Sequence, residues 1–249
     1  MRAGAVRRAG RAVPEAGLAA VCGAGDPLVL APHPDDESLG CGGTIARAVA
    51  EGRSPLVVVL TDGAGSHPGS VAWPGPRLAA VREAETVAAV AQLGLAAGRV
   101  VFLREADTRA PREGAALGAV AERVCALVER HGCTAVLASW AHDPHCDHLA
   151  ADLVARMVAA RCGVAHWAYP VWGWALPEDA EVPGGAVEGV RLGVGAHVAA
   201  KGRAVAAHRS QHGLVVGDDP AGFVLPRALL HHFEGPWEVF LRPGAGGGA

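Results

Sequence analysis

The chain is poor in aromatic residues: Phe, Trp and Tyr make up 4% of its 249 residues. A surface that binds nucleic acid by stacking bases needs rows of such rings, so that class is excluded. An excess of one charge is missing as well. Lys and Arg number 22 against 25 Asp and Glu, giving a formal charge of -3, and no block of five like charges occurs. No nucleic-acid footprint and no membrane-surface patch can be built from such a mixture. No run reaches the ~18 apolar residues of a membrane span. The N-terminal stretch 1–21 carries Arg2, Arg7, Arg8 and Arg11 and has no continuous apolar core before Pro14 and Glu15, which makes it a poor signal peptide. The six cysteines include no C-x-x-C pair, so finger or ribbon zinc is excluded. With 51% hydrophobic residues the chain can build its core without disulfide staples. Reduced thiols and a cytoplasmic protein are expected. There is no G-x-S-x-G elbow and no P-loop lysine. Gly40-Cys41-Gly42-Gly43 is a poor dinucleotide fingerprint, because its third glycine is misplaced. Small residues there read better as a helix packed close to a sheet.

What is present is concentrated in two places. His33-Pro34-Asp35-Asp36-Glu37 puts one imidazole and three carboxylates into five residues, directly after the apolar run Pro27-Leu28-Val29-Leu30-Ala31 and Pro32. Acidic groups at the end of a buried strand need a compensating charge or a cleft, and a divalent metal ion supplies such a charge. About a hundred residues later, His142-Asp143-Pro144-His145-Cys146-Asp147-His148 follows a second apolar run that ends at Trp140.

Strand and helix signals alternate between and around these clusters. Apolar runs at 28–31, 56–60, 100–103 and 135–139 read as strands. The segments 40–51, 77–93, 115–130 and 147–160 read as helices. This rhythm predicts an α/β fold with a mostly parallel sheet and helices on both faces. Both clusters, Thr61-Asp62 and Asp107 then fall beyond the carboxyl ends of strands, where such sheets bind ligands. After Arg161 the pattern changes: an aromatic-rich stretch over 165–176, a strand over 187–194, a helix over 197–209 and a last strand over 238–241. These form a C-terminal αβ extension of one domain spanning 1–242, and the Gly-rich tail 243–249 is expected to be disordered. The Gly- and Pro-rich stretch 62–76 is long enough to serve as a lid.

Within the clusters, His33 and Asp36 can converge if the chain turns at Pro34, and His148 can complete a face of two imidazoles and one carboxylate. That set leaves positions open for water and substrate, which suits one catalytic Zn²⁺ or Fe²⁺. Asp35 beside it is placed as a general base. Taken alone, the acids at 35–37 could merely cap the helix opening near Gly40. Taken alone, His145, Asp147 and His148 could be a solvated loop with Asp147 as N-cap. His142 and Asp143 read as supporting or surface residues.

The two clusters, in this order, resemble the motifs of the PIG-L (LmbE-like) deacetylases, A-H-P-D-D-E followed by H-x-D-H. Here they read Ala31-Pro32-His33-Pro34-Asp35-Asp36-Glu37, with Pro32 inserted, and His145-Cys146-Asp147-His148. Arg82-Glu83, Leu93-Gly94, Phe102-Leu103 with Asp107, and Lys201 with His208-Arg209-Ser210-Gln211 are weaker matches. The resemblance spans about residues 26–212. It implies a Rossmann-like fold and a metal-dependent, zinc-type N-deacetylase that acts on a small N-acetylated glycoside and releases acetate. It further implies His33, Asp36 and His148 as metal ligands and Asp35 as base. His145 would stabilise the oxyanion or donate a proton, oriented by Asp147, and Arg82 would contact substrate. The segment Pro170-Val171-Trp172-Gly173-Trp174 lies outside the shared pattern and leaves the acceptor open. Two other readings remain at this point: a deacylase of another amide or acyl group on a natural-product glycoside, and a non-catalytic sugar-binding module. Asp35 and His145 argue against the latter, since binding alone needs no base.

Overall fold

The computed structural model describes residues 1–184 and 186–243, so most of the Gly-rich tail lies outside the described residues. Eight strands form one sheet in the order β1-β7-β8-β6-β5-β2-β3-β4. They are β1 (Glu15–Ala16), β2 (Asp26–Ala31), β3 (Leu56–Thr61), β4 (Val100–Glu105), β5 (Cys133–Ser139), β6 (Ala165–Tyr169), β7 (Gly189–Gly193) and β8 (Trp237–Leu241). The helices are α1 (Ala3–Ala12), α2 (Ala19–Cys22), α3 (Asp36–Ala50), α4 (Gly75–Gln92), α5 (Gly114–His131), α6 (Cys146–Cys162), α7 (Val198–Ala207) and α8 (Arg227–Leu230). The five strands β4-β3-β2-β5-β6 are parallel; the alternation of strand and helix predicts the first four, and β6 arises from the aromatic-rich stretch. The extension enters through β8, which runs antiparallel to β6 and β7, and the N-terminal β1 closes the far edge beside β7.

The strands alternate across the sheet as a two-sided core requires. Val29, Ala31, Val57, Val59, Ala135 and Leu137 face the layer that contains α3, α4 and α7. Leu28, Leu30, Leu56, Val58, Val136 and Ala138 face α5 and α6. Helix α3 lies close against its neighbours because it is made of small residues. A Cβ on Gly40 would run into the ring of Tyr169, and one on Gly43 would come within 2.6 Å of Val194. Tyr169 is fixed in turn by donating its hydroxyl proton to the Leu30 carbonyl at 2.9 Å.

Two boundaries differ from the sequence reading. Helix α3 begins at Asp36 rather than near Gly40, because Asp36 and Glu37 occupy its first turn, where the helix dipole favours carboxylates. The Arg-rich N-terminus forms α1, whose first amides are taken by the carbonyls of Ala180 and Glu178 at 2.8 and 3.0 Å. Among the described residues, no helix is long and apolar enough to cross a membrane. All six cysteines are free.

Candidate metal centre and active site

The chain leaves β2 in one direction toward β3 and β4, then returns to place β5 on the other side of β2. The crevice beyond the carboxyl ends of β2 and β5 is therefore the topological switch point of the sheet, where ligands bind in open α/β folds. Both ligand-rich clusters open into it. They line a cavity of about 180 Å³ with His33, Asp35, Asp36, Arg82, Asp107 and His145 on its polar side, and Leu39, Trp172, Phe223 and Leu225 on its apolar side.

Asp36 is the hub. Its Oδ2 lies 3.2 Å from His33 Nδ1 and 3.3 Å from His148 Nε2. Two ligands on one tetrahedral ion with bonds of about 2.0–2.1 Å stand about 3.3 Å apart. His148 Nε2 is buried without a hydrogen-bond partner, although its ring is fully enclosed. A buried ring nitrogen left unpaired and aimed at a carboxylate is what a metal ligand looks like before its ion is added. Donor atoms of His33, His145 and His148 also approach within 4.8 Å of one another, as do those of His33, Asp107, His145 and Asp147. Asp147 and Asp107 are committed elsewhere. Asp147 accepts from the amides of Thr108 and Ala110 at 2.7 and 3.1 Å, and Asp107 accepts from Gly65 at 2.8 Å. His33, Asp36 and His148 could together hold a divalent ion, with His145 beside them.

The charges around this set seek a cation. Burial alone would push Asp36 up, but His148 and His33 hold it far below the usual carboxylate range. Burial alone would push both imidazoles down, but Asp107, Asp147 and Asp36 raise His33, and Asp36 and Asp143 raise His148 to about 9. Each of the two histidines is also aimed by a carboxylate on its outer nitrogen. His148 Nδ1 meets Asp143 Oδ2 at 2.9 Å, and Asp143 is itself fixed by the amides of Val171 and Gly173 at 2.9 and 2.6 Å. His33 Nε2 meets Asp147 Oδ2 at 3.2 Å.

Asp35 does something different although it is the next residue. It holds the N-cap position of α3 with φ 147° and ψ -27°, and its side chain caps nothing. A helix-capping role for this acid is thereby removed. An L-residue in that region costs about 1–3 kcal/mol and persists only where its surroundings over-determine it. Its carboxyl is buried and lines the cavity. Burial, more than any neighbour, raises it to about 6, with Arg82 pulling the other way.

The remaining expected residues fall as follows. His145 is the N-cap of α6, and its Nδ1 accepts from the main-chain N–H of Asp147 at 3.2 Å. That bond leaves the proton of the neutral ring on Nε2. Burial, then the nearby His33 and His148, lower its pKa, and the ring borders the cavity. Asp147 thus holds His145 through its main-chain N–H, while its carboxylate orients His33. Asp147 sits in the first turn of α6 beyond its cap, so it can turn its side chain into the site. Arg82 lines the cavity. It is buried and donates to the carbonyls of Gly63 and Pro34 at 2.9 and 2.8 Å, with Asp35 Oδ2 at 3.5 Å. It braces the turns at Gly63 and Pro34, next to Asp35, as it borders the cavity. On the same helix Glu83 pairs with exposed Arg104, whereas Glu85 accepts from the amide and hydroxyl of Ser210 at 2.8 and 2.6 Å. His142 stands apart, its ring edge-on to Trp140. Within the stretch 62–76, Gly65 and Ser66 line the cavity, and Gly69, Ser70, Val71 and Ala72 are tied down by Asp218 and Asp219.

The family model described as PIG-L, GlcNAc-PI de-N-acetylase, matches residues 28–159, more than half of the chain and both clusters. The chain belongs to the PIG-L family. It is 32% identical over 136 residues to a 2'-N-acetylparomamine deacetylase of Streptomyces fradiae, an overlap of 50% of this chain and 49% of that protein. The chain thus spans about half the length of the curated relative it matches. Among solved structures, a deacetylase of an antimicrobial pseudoaglycone superposes with a TM-score of 0.69 at 22% identity, covering 89% of this chain and 99% of the other. An N,N'-diacetylchitobiose deacetylase of Pyrococcus horikoshii gives 0.62 at 20% identity, covering 88% and 84%. These likenesses establish a shared fold, which for this PIG-L chain is the Rossmann-like sheet with helices around it.

Proposed function

We propose that this PIG-L protein is a metal-dependent N-deacetylase that hydrolyses the acetamide of a small acetylated amino sugar or its conjugate to acetate and a free amine. The observation that carries the reading is the division of labour between adjacent acids. Asp36 is drawn into the cation-seeking set, while Asp35 is held out of it, buried and facing the cavity. His33, Asp36 and His148 would hold one divalent ion, zinc or alternatively iron, since two imidazoles and one carboxylate leave coordination positions open. Such an ion polarises an acyl carbonyl and makes water acidic enough to attack near neutral pH.

The protein's own groups supply the rest. Asp35, as carboxylate, takes the proton from the attacking water and returns it to the nitrogen of the leaving amine, so it ends the cycle as it began. A carboxyl raised to about 6 is suited to both transfers. His145 presents its Nε2–H to the oxygen that gains negative charge as the carbonyl becomes tetrahedral. Asp147 and Asp143 keep the two ligand rings from turning. Trp172 and Phe223, whose ring centroids lie 5.7 Å apart, offer an apolar wall to the sugar or to an acyl chain longer than acetyl. The six free thiols support a reducing compartment, and we place the protein in the cytoplasm. The test is acetate release by the zinc- or iron-loaded protein from a panel of N-acetylated glycosides that includes N-acetylglucosamine conjugates and acetylated aminoglycosides. Turnover that chelation removes and metal restores is expected. No release from any member, or turnover that survives chelation, contradicts the reading.

A further inference from the structure

Glu37 closes the first motif but has no part in the chemistry above, and His208 belongs to a C-terminal segment that the mechanism does not use. They meet in the interior, 171 positions apart in sequence. His208 Nε2 lies 3.0 Å from Glu37 Oε1 and 3.1 Å from Ser38 Oγ, and Ser38 donates its hydroxyl to the same Glu37 oxygen at 2.7 Å. Both side chains are fully enclosed. The other oxygen of Glu37, Oε2, accepts from the main-chain N–H of Asp35 at 3.0 Å. This is the N–H of the residue at φ 147°. On the preceding side of the same turn, Arg82 grips the Pro34 carbonyl.

A backbone conformation this costly needs a reason to persist. Glycine would adopt it freely, but glycine has no carboxyl, and the site uses one. A buried carboxylate is likewise costly unless it is paired, and His208 is its partner. We infer that Glu37 and His208 are a positioning pair that pins the Asp35 peptide in its left-handed turn and so aims the Asp35 carboxyl into the cavity. The pair makes the C-terminal segment part of the base's setting, since His208 directly follows α7 and precedes the Ser210 that Glu85 holds. The catalytic part of this inference rests on the deacetylase reading.

The test uses the full-length, metal-loaded protein with Glu37→Ala, Glu37→Gln and His208→Asn. Rate, KM, ion content and melting temperature are read for each. Groups that orient a site in this way typically contribute ~10–100-fold. Glu37→Ala and His208→Asn should lower kcat by about that factor while KM and ion content hold. Glu37→Gln should recover most of the rate, because an amide oxygen still accepts from the Asp35 N–H while its NH2 group faces His208. In an Asp35→Asn background, adding His208→Asn should cost nothing further, since the pair acts only through Asp35. A normal kcat with a lowered melting temperature, a lost ion, or a further drop in the Asp35→Asn background overturns the inference. His208→Asn, at the far end of the pair, serves if Glu37→Ala does not fold. One measurement is independent of any substrate: the melting-temperature losses of Glu37→Gln and His208→Asn should fall short of additive when combined. Additive losses overturn the pair, whereas a wild-type protein that releases no acetate overturns only the deacetylase reading.

Discussion

At the scale of single residues, adjacent positions receive opposite fates from their surroundings. Asp36 is stripped of its proton by two imidazoles, while Asp35 is pushed up by burial. Asp143 makes the same point from outside the ligand set. It reads from the sequence as a residue of secondary importance, yet it fixes His148 through Nδ1 and is fixed in turn by two amides. Asp143→Asn should therefore weaken zinc binding by ~10–100-fold, read by competition with a chelating dye, with little change in melting temperature. Unchanged affinity would mean that the ring is held by packing alone. That the two clusters meet in one crevice is legible in the sequence, because three carboxylates in five residues after an apolar strand must face a cleft or find partners. Arg82 is expected from the resemblance as a substrate contact, but its bracing role is not legible in the sequence. Its carbonyl acceptors come from two separate loops, and nothing in a linear sequence places them at one guanidinium. That the carboxylate of Asp147 reaches His33 while its main-chain N–H holds His145 is hidden for the same reason.

At the scale of elements, the period of the apolar runs reveals four of the five parallel strands; β6 lies in the stretch read only as aromatic-rich, and the mixed 165–242 region reveals the extension. The boundaries that differ have physical causes. The start of α3 reads late because its first residues are also site residues. Helix α1 escapes a sequence reading because its buried face is made of Ala3, Gly4, Val6 and Gly10, too small to read as an apolar stripe, although its arginines fall on the opposite side. It is held by Ala3 and Val6 packing on Val182 and by carbonyls distant in sequence. The small-residue reading of Gly40 to Gly43 corresponds to a tight contact that can be tested. Gly40→Ala should destabilise the fold by about 1–3 kcal/mol, because the added methyl overlaps the buried Tyr169 ring and that ring is tied to β2. Denaturant unfolding measures it. An unchanged midpoint would show that α3 can shift away from the sheet without cost.

At the scale of the whole molecule, a sheet that reverses its strand order beside β2 delivers two clusters a hundred residues apart to one crevice. The C-terminal segment then closes over them from behind. The central claim is that a base and a metal ligand occupy neighbouring positions, Asp35 and Asp36, and do different work in a hydrolase. Ion content and acetate release measured side by side for wild type, Asp35→Asn and Asp36→Asn test it most directly. Asp35→Asn should keep its ion and lose ~10²–10⁴-fold in rate, the usual contribution of a positioned base. Asp36→Asn should lose the ion, because it removes the charged ligand shared by His33 and His148, and its rate should fall with the ion content. If Asp35→Asn turns over near the wild-type rate, or if both variants retain ion and activity and lose only stability, the account is wrong.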